Sequence, residues 1–154
     1  MLISKPWNGS GNYNYYIQVA SDDTIIITVV GNTGWGRSTP GRLPSGKWTH
    51  LALVLDSTSV KLYVDGKQSY SATHGITAWD TPLGGDGNLS LSIGSLYPYG
   101  SGWVGNSSFS FRGRMDEVAI YQQALTTGQI QKLYAEGLLR HTLAKENTLA
   151  EKLR

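Results

Sequence analysis

The sequence predicts an antiparallel β-sandwich with a helix after its last strand, in a chain of 154 residues. The 19 glycines, nine tyrosines and five tryptophans are typical of short strands joined by many turns. An Asp-Gly pair stands between two strand-like runs, and several segments alternate between apolar and polar residues with a period of two. These three observations favour an all-β fold with a single hydrophobic core.

The first half of the chain contains two short predicted strands, a loop and a longer strand. Residues 13–20 and 24–30 are rich in β-branched and aromatic residues and flank a polar turn, which predicts a hairpin. Residues 31–46 carry glycines and prolines and predict a loop. Residues 48–56 are an almost continuous apolar run, so they predict a central strand covered on both faces.

The strongest local signal is the dipeptide Asp65-Gly66, which separates the runs 60–64 and 67–70. A type I′ turn needs positive φ at both central residues, and this pair tolerates it. The sequence therefore predicts a tight hairpin at this position.

The later strands are shorter. Apolar residues at 89, 91 and 93 alternate with serines, which predicts a strand with the apolar side chains buried and the hydroxyls outside. Residues 109–111 and 115–121 predict the last two strands, interrupted at Gly113.

The pattern then changes to the helical period. Thr126 and Gln129 have the spacing of a capping box, and Gly137 is placed to end a short helix. We therefore divide the chain into a sandwich over residues 1–137 and a helical tail or linker over residues 138–154.

Aromatic residues in predicted loops are the best candidates for a ligand-binding surface. They have Gly, Pro, Ser or Asn neighbours, and an exposed ring can stack on a sugar or anchor a protein contact. The alternative is that these rings cap the ends of the sandwich and exclude water from the core. The candidates are Trp35, Trp79, Tyr97, Tyr99 and Trp103.

Charge and composition argue against several partners. The net charge is only +2 and the basic residues are scattered, so nucleic acid is not an expected partner. No apolar run is long enough to cross a bilayer, so we expect no membrane insertion. The chain has no cysteine, which excludes disulfides and thiolate chemistry.

No catalytic or zinc arrangement stands out. Asp116 and Glu117 are adjacent, so a strand would send their side chains to opposite faces, whereas a glycosidase needs two carboxyl groups facing one cleft. His50, His74 and His141 lack metal-ligand spacing, and His50 is expected to be a packed strand residue. We therefore expect no enzymatic activity.

Two sequence blocks carry a family resemblance. They read GKWTHLALVLD over residues 46–56, followed by VKLYVDG, and FRGRMDEVAIY over residues 111–121. In their order and spacing they resemble the laminin-G-like, concanavalin A-like lectin and glucanase superfamily, in its broad bacterial branch. The resemblance extends from about residue 3 to residue 137 and implies a jelly-roll sandwich.

The resemblance also implies a function and a cofactor. It implies a non-catalytic carbohydrate-binding module of an extracellular or cell-surface protein, with a structural or adhesive protein-binding domain as the alternative. A glycoside hydrolase is less favoured. Many members bind calcium in loops at one end of the sandwich, which makes four acidic residues candidate ligands. They are Asp22, Asp23, Asp80 and Asp86.

Members of this family usually begin with several further strands that have no counterpart before residue 3 of this sequence. The resemblance therefore implies that Met1 is an internal start or that the chain is a fragment. An incomplete sheet has unpaired edges, so we expect the chain to be able to self-associate through those edges. The other expected partner is a glycan or an extracellular protein.

Overall fold

A computed structural model describes residues 1–6, 13–31, 34–74, 91–95 and 110–152 of the chain. The described elements are eight strands and one helix, and the chain divides into two compact units. In chain order they are β1 (Ile3–Pro6), β2 (Tyr13–Val19), β3 (Thr24–Gly31), β4 (Gly34–Arg42), β5 (Leu51–Leu55), β6 (Ser59–Val64), β7 (Lys67–Thr73), β8 (Ser92–Ile93) and α1 (Thr127–Lys152).

The first unit, Met1–Lys47 with Thr73–Asp116, contains a five-stranded antiparallel sheet in the order β4-β3-β2-β1-β8. The hairpin of β2 and β3 confirms the prediction for residues 13–30, and it brings Ile17 opposite Ile27. Residues 25–29 of β3 are all buried, and Ile25 and Ile27 almost completely, so both faces of this strand are covered. These isoleucines form the apolar centre of the unit.

The prediction of a loop over residues 31–46 is wrong, because β4 occupies most of that segment. β4 pairs with β3 along its length, with a shift of register between Ile25 and Ile27. Glycine and proline are tolerated because β4 is an edge strand of the described sheet, where one row of main-chain groups needs no strand partner. The local composition therefore failed to predict β4, which is stabilised by its pairing with β3.

The prediction for residues 89–93 is also only partly correct. Residues 91–95 contain the two-residue strand β8, which pairs with β1. Ile93 is 47% exposed rather than buried, because β8 lies at the edge of the sheet. Residues 89 and 90 lie outside the described residues.

The second unit, Trp48–Ala72 with Glu117–Arg154, contains a three-stranded sheet in the order β5-β6-β7. The predicted Asp65-Gly66 hairpin is confirmed, since it joins β6 to β7 and has φ of 49° at Asp65 and 73° at Gly66. Positive φ at both residues is the geometry that the dipeptide predicted.

β5 is not the central strand that its apolar sequence predicted. It lies at an edge of the described sheet, next to β6, and three of its leucines are only half-buried. An apolar run reports how much of a strand can be buried, and it does not report how many strands will flank it.

The turn from β5 to β6 is organised by Asp56. Its carboxylate accepts hydrogen bonds from the amides of Thr58 and Ser59, at 2.9 and 2.6 Å, and from both hydroxyls of these residues. Lys61 Nζ lies 3.2 Å from Asp56 Oδ2. The hydrogen bonds from Ser59 and Thr58 hold the pKa of Asp56 well below its ordinary value of 3.8.

Replacing Asp56 with asparagine is expected to lower the stability most at neutral pH. The folded-state pKa is depressed, so the carboxylate stabilises the fold above pH 3.8 and this contribution is lost as the pH falls further. Urea denaturation of wild type and Asp56→Asn at several pH values measures the difference. The difference should shrink below pH 4, and a gap that widens on acidification would contradict this role.

Helix α1 begins as predicted and ends much later. The capping box is present: Gln129 N donates to Thr126 Oγ1, and Thr126 N donates to Gln129 Oε1 at 2.8 Å. The helix then continues through Gly137 to Lys152, so the prediction that it ends at Gly137 is wrong. A helical glycine costs only about 1 kcal/mol, which neighbouring turns can offset.

The predicted strand over residues 115–121 does not form, and the described part of residues 109–111 is not a strand either. Met115, Val118, Ile120 and Tyr121 are between 39% and 59% exposed, and Glu117 has φ of 51°. The sequence pattern fits a strand, but strand stability comes from cross-strand pairs that this segment lacks within the described residues.

Candidate functional site: the Trp48 platform

The second unit is held together by packing of helix α1 on its sheet. Val54 and Tyr63 form a buried cluster with Ile130, and Ala52 and Leu125 pack against it. Tyr63 also hydrogen-bonds Thr127 at the start of the helix, with 3.0 Å between the two oxygens. The first turns of α1 are therefore fixed to the strands.

The residues just before β5 make two further aromatic contacts with α1. The His50 ring lies 5.8 Å from the Tyr134 ring, and the Trp48 ring stacks on His141 with 4.7 Å between centroids and 22° between planes. Trp48 and His50 are two positions apart, and their partners His141 and Tyr134 are seven positions apart on α1, about two helical turns.

Trp48 combines a fixed orientation with exposure to solvent. Its side chain is 44% exposed although its ring is stacked on His141. We call Trp48 and His141 the Trp48 platform. A held and partly exposed indole offers a large apolar surface that needs little ordering when it binds a ligand ring.

His50, two residues after Trp48, packs against Tyr134 of α1. Burial lowers the pKa of His50, while the charges of Asp65 and Glu117 oppose this shift. Its Nδ1 is buried without a hydrogen-bond partner, and its amide donates to Asp65 Oδ1 at 3.0 Å. The prediction for His50 is met in part: the ring packs against Tyr134, but the residue precedes β5 rather than lying in a strand.

The Glu117 carboxylate forms an ion pair with helix α1. Its Oε1 lies 2.6 Å from Arg140 Nη1, and a Cβ at Gly137 would lie 3.2 Å from its Oε2. The small residue at 137 therefore leaves space for this carboxylate beside the helix.

The two described calcium candidates lie in the turn between β2 and β3. Asp22 Oδ1 accepts the amide of Thr24 at 3.1 Å, and Oδ2 lies 3.6 Å from Arg42. Hydrogen bonds from Thr24 lower the pKa of Asp22, and Arg42 contributes to the same shift. Asp23 has φ of 65°, the left-handed conformation that aspartate accepts in turns.

These two residues do not by themselves provide the six or more oxygen ligands that calcium takes. No group of three or more His, Asp or Glu side chains in the described part of the chain converges on one point. Asp80 and Asp86 lie outside the described residues, so the calcium site stays a prediction.

The sequence-predicted aromatic residues are only partly described. Trp35 lies in β4 opposite Val30, in a strand rather than in the predicted loop, and its side chain is outside the description. Trp79, Tyr97, Tyr99 and Trp103 lie outside the described residues. Their role in binding stays a prediction.

Sequence reasoning missed Trp48 because the apolar run after it suggested a buried central strand. The signal that could have found it is its position directly after Gly46-Lys47, where a strand is only beginning. Rings at strand ends are often half-exposed, and β5 itself begins three residues later at Leu51.

Comparison with known families now identifies the fold. The family model Laminin_G_3, of the Concanavalin A-like lectin/glucanases superfamily, matches residues 1–131. The chain belongs to this superfamily. The predicted jelly-roll β-sandwich class is thereby confirmed, in agreement with the two antiparallel sheets and the C-terminal helix.

Individual relatives of this concanavalin A-like domain are much longer. Usherin of Mus musculus is 32% identical over 97 residues, which cover 63% of this chain and 2% of Usherin. Usherin of Rattus norvegicus is 33% identical over 100 residues, which cover 65% of this chain and 2% of that protein. The chain thus spans about 2% of the length of these relatives.

One solved structure is similar to the concanavalin A-like domain over much of its length. It is an S-layer domain-containing protein of Clostridium thermocellum, 23% identical, with a TM-score of 0.46. The match covers 83% of this chain and 59% of that one. Separately, no helix among the described residues is long and apolar enough to cross a membrane.

Proposed function

We propose that this domain is a non-catalytic carbohydrate-binding module of a secreted or cell-surface protein, and that the Trp48 platform contributes to its binding surface. The main support for this proposal is the exposed indole of Trp48, which stacks on His141. The superfamily description names lectins and glucanases, which makes a sugar the first ligand to test. Aromatic residues that the sequence predicts to lie in loops, such as Trp103, are the second candidate surface.

Binding is favoured over cleavage by the state of the acidic residues. Glu117 is paired with Arg140, and its neighbour in sequence is the only other acid of that segment. A retaining glycosidase needs two carboxyl groups about 5–5.5 Å apart across one cleft. A glucanase assay on the same preparation tests directly whether the chain cleaves the glycans that it binds.

The test is binding of the full chain to a glycan array and to insoluble cellulose, xylan and chitin. For any glycan that is retained, Trp48→Ala is expected to weaken binding roughly tenfold or more, as loss of an aromatic anchor commonly does. His141→Ala should have a smaller effect, since it frees the indole without removing it.

The matched control is Tyr121→Ala, another aromatic residue of the second unit with 48% exposure. It is expected to bind as wild type does. Binding that survives Trp48→Ala but is lost in Trp103→Ala would move the site to the loop aromatics. Binding retained in both variants would remove both surfaces from consideration.

A structural or adhesive protein-binding domain is the second candidate. It is favoured by the number of large apolar side chains that the second unit exposes, which is a property of contact surfaces. They are Val118, Ile120, Tyr121, Leu138, Leu139 and Leu143. Absence of binding to every glycan, with retention of a purified extracellular matrix protein, would favour this function.

Calcium is proposed as a cofactor through Asp22, Asp23, Asp80 and Asp86. Calcium that binds only the folded chain would stabilise it by RT ln(1 + [Ca²⁺]/Kd), so the stabilisation would grow with the logarithm of the calcium concentration above Kd. Thermal denaturation in millimolar calcium chloride, against magnesium chloride, measures this. An unchanged melting temperature in calcium would argue against the site.

A further inference from the structure

The edge strand β5 differs from the other sheet edges that the structure describes. β4 contains a proline and ends in arginine, β8 has only two residues, and β7 is polar and begins with lysine. These are features that protect an edge from pairing with another chain. β5 has the sequence LALVL, with no charge, glycine or proline.

The main-chain groups of β5 that face away from β6 can be assigned from the ladder. His50 O accepts from Asp65 N, and Asp56 N donates to Ser59 O, so positions 50 and 56 direct main-chain groups at the β6 side. Alternation gives Ala52 and Val54 the same direction. Leu51, Leu53 and Leu55 therefore direct their N–H and C=O groups at the side of β5 where no other described strand pairs with it.

The β5 sequence is self-complementary about Leu53. In an antiparallel pair of two copies centred there, Leu53 faces Leu53, and Leu51 faces Leu55 of the other copy. All three positions with outward main-chain groups would then form hydrogen-bonded pairs. The small Ala52 would face the larger Val54, while leucine would face leucine at the other positions.

The residues that flank the strand fit the same register. Pairing about Leu53 brings His50 of one copy opposite Asp56 of the other, and places no two like charges opposite each other. This favours a second copy of the chain over a strand of unrelated sequence.

We propose that the chain forms a two-fold symmetric dimer by antiparallel pairing of β5 with β5 of a second copy, centred on Leu53. The contact is isologous, so it closes at two copies and does not propagate. The inference goes beyond the proposed carbohydrate binding and does not depend on it.

The first experiment is sedimentation equilibrium of the full chain at loading concentrations from roughly 1 µM to 1 mM, a range that covers weak association. We expect a reversible change from 16.8 kDa to twice that mass. A monomer at all concentrations, or growth beyond two copies, would overturn the proposal.

The second experiment is residue-resolved amide hydrogen exchange of the wild-type chain at the two ends of this range. The amides of Leu51, Leu53 and Leu55 should become protected only in the dimer. Ala52 and Val54 are internal controls, because their amides face β6 in either state. A dimer in which the three leucine amides stay unprotected would place the interface elsewhere and refute the pairing.

Variants complete the test. Leu53→Lys brings two ammonium groups opposite each other across the symmetry axis, and should raise the dimer dissociation constant roughly tenfold or more. Ile93→Lys is the matched control, because Ile93 is 47% exposed on the short edge strand β8. A dimer weakened by Ile93→Lys and not by Leu53→Lys would overturn the proposal, and hydrogen exchange tests the pairing if Leu53→Lys does not fold.

Discussion

Replacing Ile130 with alanine is expected to lower the free energy of unfolding by about 2–5 kcal/mol, the usual cost of emptying a buried aliphatic site. Ile130 is completely buried between helix α1 and the sheet, against Val54 and Tyr63. The lost contacts are those that hold the first turns of α1 on the strands. Urea denaturation followed by circular dichroism and tryptophan fluorescence measures the change.

Leu139→Ala is the matched control for this prediction. Leu139 lies on the same helix and is 60% exposed, so its truncation should change the stability by no more than about 0.5 kcal/mol. Equal losses in the two variants would show that the helix, rather than the buried cluster, sets the measured stability. A small loss in Ile130→Ala alone would mean that the cavity is filled by rearrangement of its neighbours.

Replacing Gly66 with alanine is expected to cost about 2–4 kcal/mol, from two separable causes. The first is the left-handed backbone, with φ of 73°, which penalises any Cβ. The second is contact with the helix, since a Cβ at this position would lie 2.9 Å from Tyr134 Cδ1 and 3.3 Å from its Cβ. The ring alone cannot relieve the contact, because the Tyr134 Cβ is also close.

Gly46→Ala separates the two causes. Gly46 has a similar φ of 77°, and a Cβ there would meet nothing within 4 Å. Its substitution should therefore lower the free energy of unfolding by about 1–2 kcal/mol, the cost of a Cβ in the left-handed backbone conformation alone. The difference between the variants measures the close approach of Tyr134 to the hairpin, and equal costs would contradict that contact.

The local features of this fold were predictable from the sequence. The Asp65-Gly66 turn and the capping box of Thr126 and Gln129 are formed by residues that are adjacent or three apart. Their geometry is decided by backbone conformation and short-range hydrogen bonds, so the local sequence is sufficient to predict them. The hairpin of β2 and β3 belongs to the same class.

The candidate site was less predictable. Trp48 precedes the edge strand β5 and is 44% exposed, and its ring stacks on His141 because the helix continues past Gly137. Neither fact can be read from the apolar run that follows Trp48. The loop aromatics that the sequence favoured still await a test.

The sequence alone determined the fold class, the tight β6–β7 hairpin and the start of the helix, since these depend on composition and on contacts between near neighbours. The tertiary structure decided which runs became strands. Residues 34–42 became one despite glycine and proline because β3 lies beside them, whereas residues 115–121 did not despite a suitable pattern. A strand is stable only through the hydrogen bonds and side-chain contacts of its neighbour, and that neighbour is not a local property of the sequence.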